Sequence, residues 1–236
     1  MKLFDVYSLF DVTPIKAKDV YVYDDTGEEY LDLYGGHAVI SVGHSHPYFV
    51  ENIKSQLDKI SFYSNSVKNP LQSVLAEKIN EQADLGDYQL FLCSSGAESI
   101  ENALKLASFH TNKKRVIAFK NSFHGRTSAA VAVTDNDKIS SPLNKQQNVT
   151  FLKLNDYKNL EIELKKGDVC AVIFETIQGV GGLDMPKGDF ICYMDKLCKQ
   201  YQVCLIADEV QSGFSRSGKF FAYQFNDIKP DIITMA

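Results

Sequence analysis

The chain lacks the features that mark secreted, membrane-spanning or zinc-binding proteins. It holds five cysteines in 236 residues, an odd number with no Cys-x-x-Cys pair, so neither a disulfide framework nor a metal site is expected. No apolar run approaches the roughly 20 residues that a membrane-spanning helix needs. The first residues show no basic stretch followed by an apolar one, as a secretory signal would. The sequence therefore predicts a cytoplasmic globular protein.

An excess of positive charge is also absent. Lysine and arginine number 25 against 30 aspartates and glutamates, which gives a formal net charge of −5. This balance gives no reason to expect nucleic acid or an anionic membrane as a partner. The glycine-rich stretch after Glu175 does not follow the G-x-G-x-x-G spacing of dinucleotide-binding proteins, which disfavours a nicotinamide cofactor.

Short apolar runs separated by helical segments indicate an α/β protein. The runs are continuous rather than alternating, which is typical of strands buried on both faces of a mainly parallel sheet with helical crossovers. They cover residues 90–93, 116–119, 169–174 and 203–207, with further strand candidates at 149–154 and 231–235. Helices are predicted over 97–110 and 189–201. Cys93, Cys170 and Cys204 lie in these runs and are expected to behave as small hydrophobic residues.

The N-terminal part has a different pattern. Two apolar stretches flank the turn residues Asp24-Asp25-Thr26-Gly27, which predicts a β-hairpin over residues 21–33. From about Pro47, apolar residues recur at helical spacing in two successive segments, which predicts two helices.

Two adjacent acids follow the run that ends at Ala207. In open α/β sheets ligands bind at the carboxyl ends of strands, where Asp208 stands. A carboxylate there can keep the ring nitrogen of a flat heteroaromatic cofactor protonated, as a pyridoxal phosphate enzyme requires. Taken alone, the same pattern fits a strand followed by a solvated acidic turn.

Ser94-Ser95-Gly96-Ala97-Glu98 joins another run to a helix. Small residues let the backbone approach an anion, and N–H groups at the helix start can bind a phosphate. The alternative is a plain helix cap, since Ser95 and Glu98 have the capping-box spacing. Both interpretations are compatible.

An aromatic ring, a histidine and an arginine follow the run at 116–119. Phe123 is suited to stacking on a flat cofactor, and the guanidinium of Arg126 to binding a carboxylate through two hydrogen bonds. A core phenylalanine, a surface arginine and a hydrogen-bonded structural histidine are the alternatives, and for His124 the structural role is favoured. Glu175 ends the next run, where its carboxylate has two candidate uses: pairing with Arg126 or tuning the surroundings of a cofactor.

Taken together and in order, these segments resemble the class III pyridoxal-phosphate-dependent aminotransferases, most of all the acetylornithine and ornithine aminotransferases. The motifs that carry the resemblance are Tyr30-Leu31-Asp32, Gly43-His44-Ser45-His46-Pro47, Ser95-Gly96-Ala97-Glu98, Phe123-His124-Gly125-Arg126-Thr127, Ile177-Gln178-Gly179 and the segment 208–218. The resemblance implies the fold type I of these transferases. It predicts a large domain over 47–236, with helices on both faces of the sheet, and a segment of a smaller, incomplete α+β domain over 1–46.

The resemblance also implies the site. The residues that it assigns to pyridoxal 5′-phosphate are Ser95, Gly96 and Ala97 for the phosphate, Phe123 for the ring face, Asp208 for the ring nitrogen and Gln211 for the phenolic oxygen. The residues that it assigns to the substrate are Arg126, Glu175, His37 and Tyr63. Two positions depart from the family. Val180 replaces a frequent glutamate, and His37 stands where related enzymes have an aliphatic residue; a half-exposed histidine without a ligand contact is its alternative.

The implied activity is transfer of the distal amino group of an N-acylornithine to 2-oxoglutarate, as in arginine biosynthesis. N-acetylornithine is the preferred candidate for the amino donor. Family members are homodimers with a shared active site. Succinylornithine, ornithine or another ω-amine is the nearest alternative substrate. A non-catalytic cofactor-binding or dimerisation module is the alternative from another class.

The resemblance expects the Schiff-base lysine directly after Ala236, where the sequence stops. Either that lysine carries the cofactor and interrupts a sequence of standard residues, or the chain is a fragment. The apolar sheet edge that a truncation would expose favours the first explanation.

Overall fold

The computed structural model describes residues 1–146 and 148–236, which form two compact units, Met1–Pro70 and Leu71–Ala236. The first unit extends beyond the residues 1–46 that the sequence assigns to a smaller domain, and that assignment stays a prediction.

The first unit contains an antiparallel sheet of three strands in the order β1-β2-β3. Its elements are β1 (Pro14–Lys18), β2 (Tyr21–Asp24), β3 (Glu29–Leu31), a short helical turn α1 (Gly35–Ala38) and α2 (Pro47–Leu57). The predicted hairpin is present between β2 and β3. Its turn is held by Asp24, whose Oδ1 accepts hydrogen bonds from the hydroxyl and N–H of Thr26 and from the N–H of Glu28. Led by the hydroxyl bond, these contacts lower the pKa of Asp24 to about 2.

The second unit alternates strands and helices. Its elements are α3 (Pro70–Ala83), which begins at the unit boundary, α4 (Gly96–Thr111), β4 (Arg115–Phe119), α5 (Ser128–Ala132), β5 (Val149–Leu152), α6 (Tyr157–Lys165), β6 (Val169–Glu175), α7 (Gly188–Tyr201), β7 (Cys204–Asp208), β8 (Ile232–Thr234) and two 3₁₀ helices, Asn144–Gln146 and Ala222–Phe225. The five strands are parallel, in the order β5-β4-β6-β7-β8.

Hydrophobic side chains cover both faces of this sheet. Phe174 and Leu205 belong to a core that includes residues of α6 and α7, whereas Ile173 and Ile206 belong to a second core with Ile100 of α4. Alternate residues of one strand therefore enter opposite cores, which explains the continuous apolar runs in the sequence. The mainly parallel sheet with helices on both faces is confirmed.

The sheet order also fixes where a ligand site is expected. From β4 the chain passes outward to β5 on one side, and then to β6, β7 and β8 on the other. Such a change of direction leaves a crevice at the carboxyl ends of the central strands, here β4 and β6.

The predicted strand at 90–93 is wrong. The structure has no strand there, and Phe91, Leu92 and Cys93 are exposed. An apolar run forms a strand only when a neighbouring strand accepts its backbone hydrogen bonds, and the sheet described above does not include this segment. Cys93 is therefore not the buried thiol that its apolar surroundings predict, whereas Cys170 and Cys204 are buried.

Within residues 1–146 and 148–236, no helix is long and apolar enough to cross a membrane. In the same residues, no cluster of histidine, cysteine, aspartate and glutamate side chains is placed to hold a metal ion. All five cysteines are free thiols.

Candidate active site

A cavity of about 420 Å³ lies at the carboxyl ends of the central strands. Four segments form its walls: the start of α4, the turn that follows β4, the end of β6, and the end of β7 with the loop after it. This is the crevice that the reversal of strand order predicts, and its volume is in the usual range for a small-molecule site.

Eight of the ten site residues that the sequence predicts line this cavity. They are Ser95, Gly96, Ala97, Phe123, Arg126, Glu175, Asp208 and Gln211. The other two, His37 and Tyr63, belong to the first unit. Both are exposed, and the Tyr34 hydroxyl lies 2.6 Å from Nδ1 of His37. The roles assigned to these ten residues stay predictions. The structure shows that eight of them lie close together around one cavity.

The start of α4 combines a cap with an anion-binding geometry. The Oγ of Ser95 accepts a hydrogen bond from the N–H of Glu98, at 3.2 Å, so Ser95 is the helix cap. The carboxylate of Glu98 accepts a bond from the N–H of Ser94, at 2.6 Å. Gly96 and Ala97 begin the helix, where backbone N–H groups have no partner within the helix itself. Both residues line the cavity, so their N–H groups and the positive end of the helix dipole favour an anion there.

Asp208 is one of two buried acids in the cavity wall. It ends β7 directly beside Glu175, which ends β6, because the two residues are paired in the sheet register. Its Oδ2 lies 2.6 Å from Nδ1 of His124. Its Oδ1 accepts bonds from the N–H of Val210 at 3.1 Å and the hydroxyl of Thr234 at 3.3 Å. A carboxylate can accept about four hydrogen bonds, and these contacts account for three of them. Asp208 also lines the cavity.

His124 is fully buried and bonded to this acid. Burial lowers the pKa of His124, yet the hydrogen bond to Asp208 and the negative charges of Asp208 and Glu175 outweigh burial, so its pKa stands above the usual value. Its Nε2 is buried without a hydrogen-bond partner in the described structure. The hydrogen-bonded role that the sequence favours for His124 is thus correct, but its partner is the candidate site acid itself.

Glu175 is the second buried acid in the cavity wall. Its Oε2 accepts a bond from the N–H of Phe123, at 3.3 Å. Burial, and secondarily the negative charge of Asp208, raises the pKa of Glu175 to about 7 against the opposing effect of His124. The cavity therefore holds two carboxyl groups whose surroundings differ: Asp208 accepts three hydrogen bonds, whereas Glu175 is mainly desolvated.

Three residues that contact Asp208 are not among the ten site residues predicted from the sequence. His124, Val210 and Thr234 all contact the carboxylate of Asp208. The position of His124 next to Phe123 was an available signal, since neighbours in a turn tend to reach the same site. Thr234 lies 26 residues from Asp208 and is brought there by the pairing of β7 with β8, which the sequence does not reveal.

Comparisons with known proteins agree with this architecture. The sequence profile of the family described as Aminotransferase class-III matches residues 6–236. The acetylornithine aminotransferase of Bacillus subtilis is 41% identical over 235 residues, which cover 99% of this chain and 60% of that protein. The chain thus spans about three-fifths of the length of that relative.

Solved structures show the same fold. The ornithine aminotransferase of Toxoplasma gondii superposes with a TM-score of 0.91 at 27% identity, covering 99% of this chain and 57% of that one. The taurine:2-oxoglutarate aminotransferase of Bifidobacterium kashiwanohense, in complex with PLP and glutamate, gives a TM-score of 0.90 at 27% identity and covers 100% and 58% of the two chains. With its profile match over 6–236 and this fold, the chain belongs to the class III aminotransferases.

Proposed function

We propose that this chain forms the cofactor-binding part of a pyridoxal-phosphate-dependent aminotransferase that moves the distal amino group of N-acetylornithine to 2-oxoglutarate, as in arginine biosynthesis. The observation that carries the proposal is the cavity at the carboxyl ends of β4 and β6, where the strand order changes direction. The start of a helix, an aromatic ring and a buried carboxylate meet there. The choice of donor rests on relatives such as the Bacillus subtilis acetylornithine aminotransferase.

The residues of the cavity fit pyridoxal phosphate. The cofactor has a phosphate, a flat ring and a ring nitrogen, and the cavity offers helix N–H groups at Gly96 and Ala97, the ring of Phe123 and the carboxylate of Asp208. The fit is supported by Asp208, whose three internal hydrogen bonds leave about one acceptor position. When bound, pyridoxal phosphate supplies an electron sink that stabilises negative charge on the substrate carbon.

Asp208 and its partners supply the fixed charge of the site. A carboxylate that is already hydrogen-bonded and buried does not have to reorganise when a cationic ring N–H approaches it. The hydrogen bond to His124 keeps Oδ2 in place, and the bonds to Oδ1 fix the rotation of the carboxylate plane. Asp208 and His124 are both buried, away from water. Asp208 therefore attracts a ring N–H more strongly than an exposed carboxylate would.

Arg126 and Glu175 face the substrate side in this proposal. Arg126 lines the cavity and is exposed to solvent, as a group that captures an incoming carboxylate must be. Its planar guanidinium can donate two parallel hydrogen bonds to the α-carboxylate of an acylated ornithine. Glu175, with a pKa near 7, changes its charge close to neutral pH and so adjusts the net charge that a substrate meets. His37 and Tyr63 are further proposed substrate contacts.

Three wider features belong to the proposal. A lysine directly after Ala236 is proposed to attach the cofactor. A homodimer with a shared active site is proposed because the family resemblance implies one. A cytoplasmic location is proposed because the relatives that the chain resembles include aminotransferases such as that of Bacillus subtilis.

The test begins with the purified protein, pyridoxal phosphate and 2-oxoglutarate. Glutamate formation is followed with N-acetylornithine, N-succinylornithine and ornithine as alternative donors, and Asp208→Asn serves as the control for the site. We expect the highest kcat/KM with N-acetylornithine and a large loss in the control. A preference of orders of magnitude for an unrelated amine contradicts the donor assignment.

Attachment of the cofactor is measured separately. Intact mass is determined before and after borohydride reduction, and the modified peptide is mapped. An adduct on a lysine directly after Ala236 supports a catalytic protein. Tight cofactor binding with no adduct and no turnover favours the non-catalytic binding module instead.

A further inference from the structure

Glu209, next to Asp208, is fully buried and does not line the cavity. Its Oε1 accepts hydrogen bonds from the N–H of Tyr223 at 2.8 Å and the hydroxyl of Thr176 at 3.2 Å. Its Oε2 accepts bonds from the hydroxyl of Ser212 at 2.6 Å and the N–H of Ala222 at 2.9 Å. A carboxylate can accept about four hydrogen bonds, so these four donors use its full capacity.

These four donors come from three separate parts of the chain. Thr176 follows β6, Ser212 lies in the loop after β7, and Ala222 and Tyr223 begin a 3₁₀ helix. The backbone of Glu209 is fixed as well, because its N–H donates to the carbonyl of Thr234 and its carbonyl accepts from the N–H of Gly213, at 2.8 and 2.9 Å. One side chain therefore joins two strand ends, a loop and a helix start.

The residues that follow Glu209 are seated against two glycines. A Cβ added to Gly96 would lie 2.7 Å from Cγ1 of Val210, and a Cβ added to Gly179 would overlap Oε1 of Gln211. The side chains of Val210 and Gln211 thus occupy space that exists only because both glycines lack a side chain. Such contacts tolerate little movement of the loop, so the placement of Gln211 depends on what holds the loop in register.

We propose that Glu209 is a positioning residue for the cofactor site. Its hydrogen bonds hold the end of β7 and the loop after it, so that Asp208, Val210 and Gln211 face the cavity together. The inference rests on the proposed function, because it takes the cavity to bind pyridoxal phosphate. Glu209 acts through Gln211 and Asp208 and makes no contact with the ligand.

Glu209→Gln tests the role with little change in shape. A glutamine keeps one acceptor oxygen, but its NH₂ group then meets a backbone N–H donor on the other side, either that of Ala222 or that of Tyr223. Asp195→Asn is the matched control, since Asp195 is also a buried carboxylate, accepts a bond from Lys199 and lies on α7 away from the cavity lining. Both substitutions replace a buried carboxylate by its amide.

The probe is pyridoxamine 5′-phosphate, which has the phosphate, ring nitrogen and phenolic oxygen but needs no covalent bond to the chain. Its dissociation constant is measured by calorimetry, and the circular dichroism of the bound ring reports its orientation. We expect Glu209→Gln to weaken binding about tenfold or more and to change the ring signal. Asp195→Asn is expected to lower thermal stability while binding the probe as the original protein does.

A double-mutant cycle separates positioning from general destabilisation. In a Gln211→Ala background, Glu209→Gln should weaken binding by a smaller factor than in the original protein, because the side chain that it positions is gone. Equal factors in both backgrounds, or unchanged binding in Glu209→Gln, overturn the proposal. Failure of the original protein to bind the probe would instead overturn the proposed function itself.

Thr176→Val covers the case in which Glu209→Gln does not fold. This variant removes one of the four donors to Glu209, and Thr176 does not line the cavity. We expect about a threefold weaker binding of the probe, as for one lost neutral hydrogen bond, together with a changed ring signal. Binding equal to that of the original protein would overturn the positioning role.

Discussion

Nδ1 of His124 lies 2.6 Å from Oδ2 of Asp208, and both side chains are buried. The contact joins the turn after β4 to the end of β7, 84 residues apart in sequence. A histidine that the sequence alone treats as structural is thereby the direct partner of the acid proposed to bind the cofactor ring.

Replacing His124 tests this contact. His124→Phe removes the donor and leaves one oxygen of Asp208 buried without it, which we expect to lower the free energy of unfolding by about 2–4 kcal/mol. His124→Asn retains an N–H donor close to the position of Nδ1 and should lose less than half of that. Urea unfolding of the two variants measures the difference. Equal stability of both variants would show that the hydrogen bond is unimportant.

Asp208→Asn tests the charge of the site. The amide preserves the shape of the side chain but removes the negative charge proposed to face the ring nitrogen, and we expect a loss of about 3 kcal/mol or more in transition-state stabilisation. This corresponds to roughly a 100-fold lower kcat with N-acetylornithine, measured under saturating pyridoxal phosphate. Near-normal turnover would contradict the role given to Asp208.

Arg126 is expected to affect the donor more than the cofactor. Arg126→Ala removes the two hydrogen bonds that are proposed to bind the α-carboxylate. We expect a loss of about 2–3 kcal/mol in transition-state stabilisation, which lowers kcat/KM for N-acetylornithine roughly 30- to 150-fold. Arg126→Lys keeps the charge but not the planar pair of donors and should fall in between. An unchanged kcat/KM in Arg126→Ala would remove this residue from the site.

Glu175 predicts a specific pH dependence of stability. Its pKa is raised from 4.5 to about 7 in the folded protein, so the folded state holds this proton more tightly than the unfolded state. The contribution is fully present below about pH 4.5 and is lost as the pH rises through 7. The shift corresponds to a free energy on the order of 3 kcal/mol, with burial as its main cause.

The pH prediction is checked with Glu175→Gln, which keeps the shape but cannot titrate. Unfolding free energies of the ligand-free protein are measured by urea between about pH 5 and pH 8, and the profile of the variant is subtracted from that of the original protein. The difference should favour the original protein at the acid end and vanish or reverse at the alkaline end. Parallel profiles would mean that Glu175 is ionised throughout.

Much of the architecture follows from local patterns in the sequence. Continuous apolar runs predict β4, β6 and β7, because each of these strands packs against helices on both faces of the sheet. The failure at 90–93 has the same origin. An apolar run indicates that a segment can be buried, but a strand also needs a neighbouring strand for its backbone hydrogen bonds. Phe91 and Leu92 have no such neighbour in the described sheet, and both are exposed.

The sequence by itself determined the residue types of the site and their order: a capped helix start at Ser95, an aromatic ring at Phe123, and acids at the ends of two strands. Their chemistry is local, so spacing and turn signals reveal it. Only the tertiary structure decided that Glu175 and Asp208 are neighbours and that His124 binds Asp208. It likewise decided that the carboxylate of Glu209 gathers donors from three segments. These relations depend on strand order and register, which come from packing across the whole sheet rather than from any one segment.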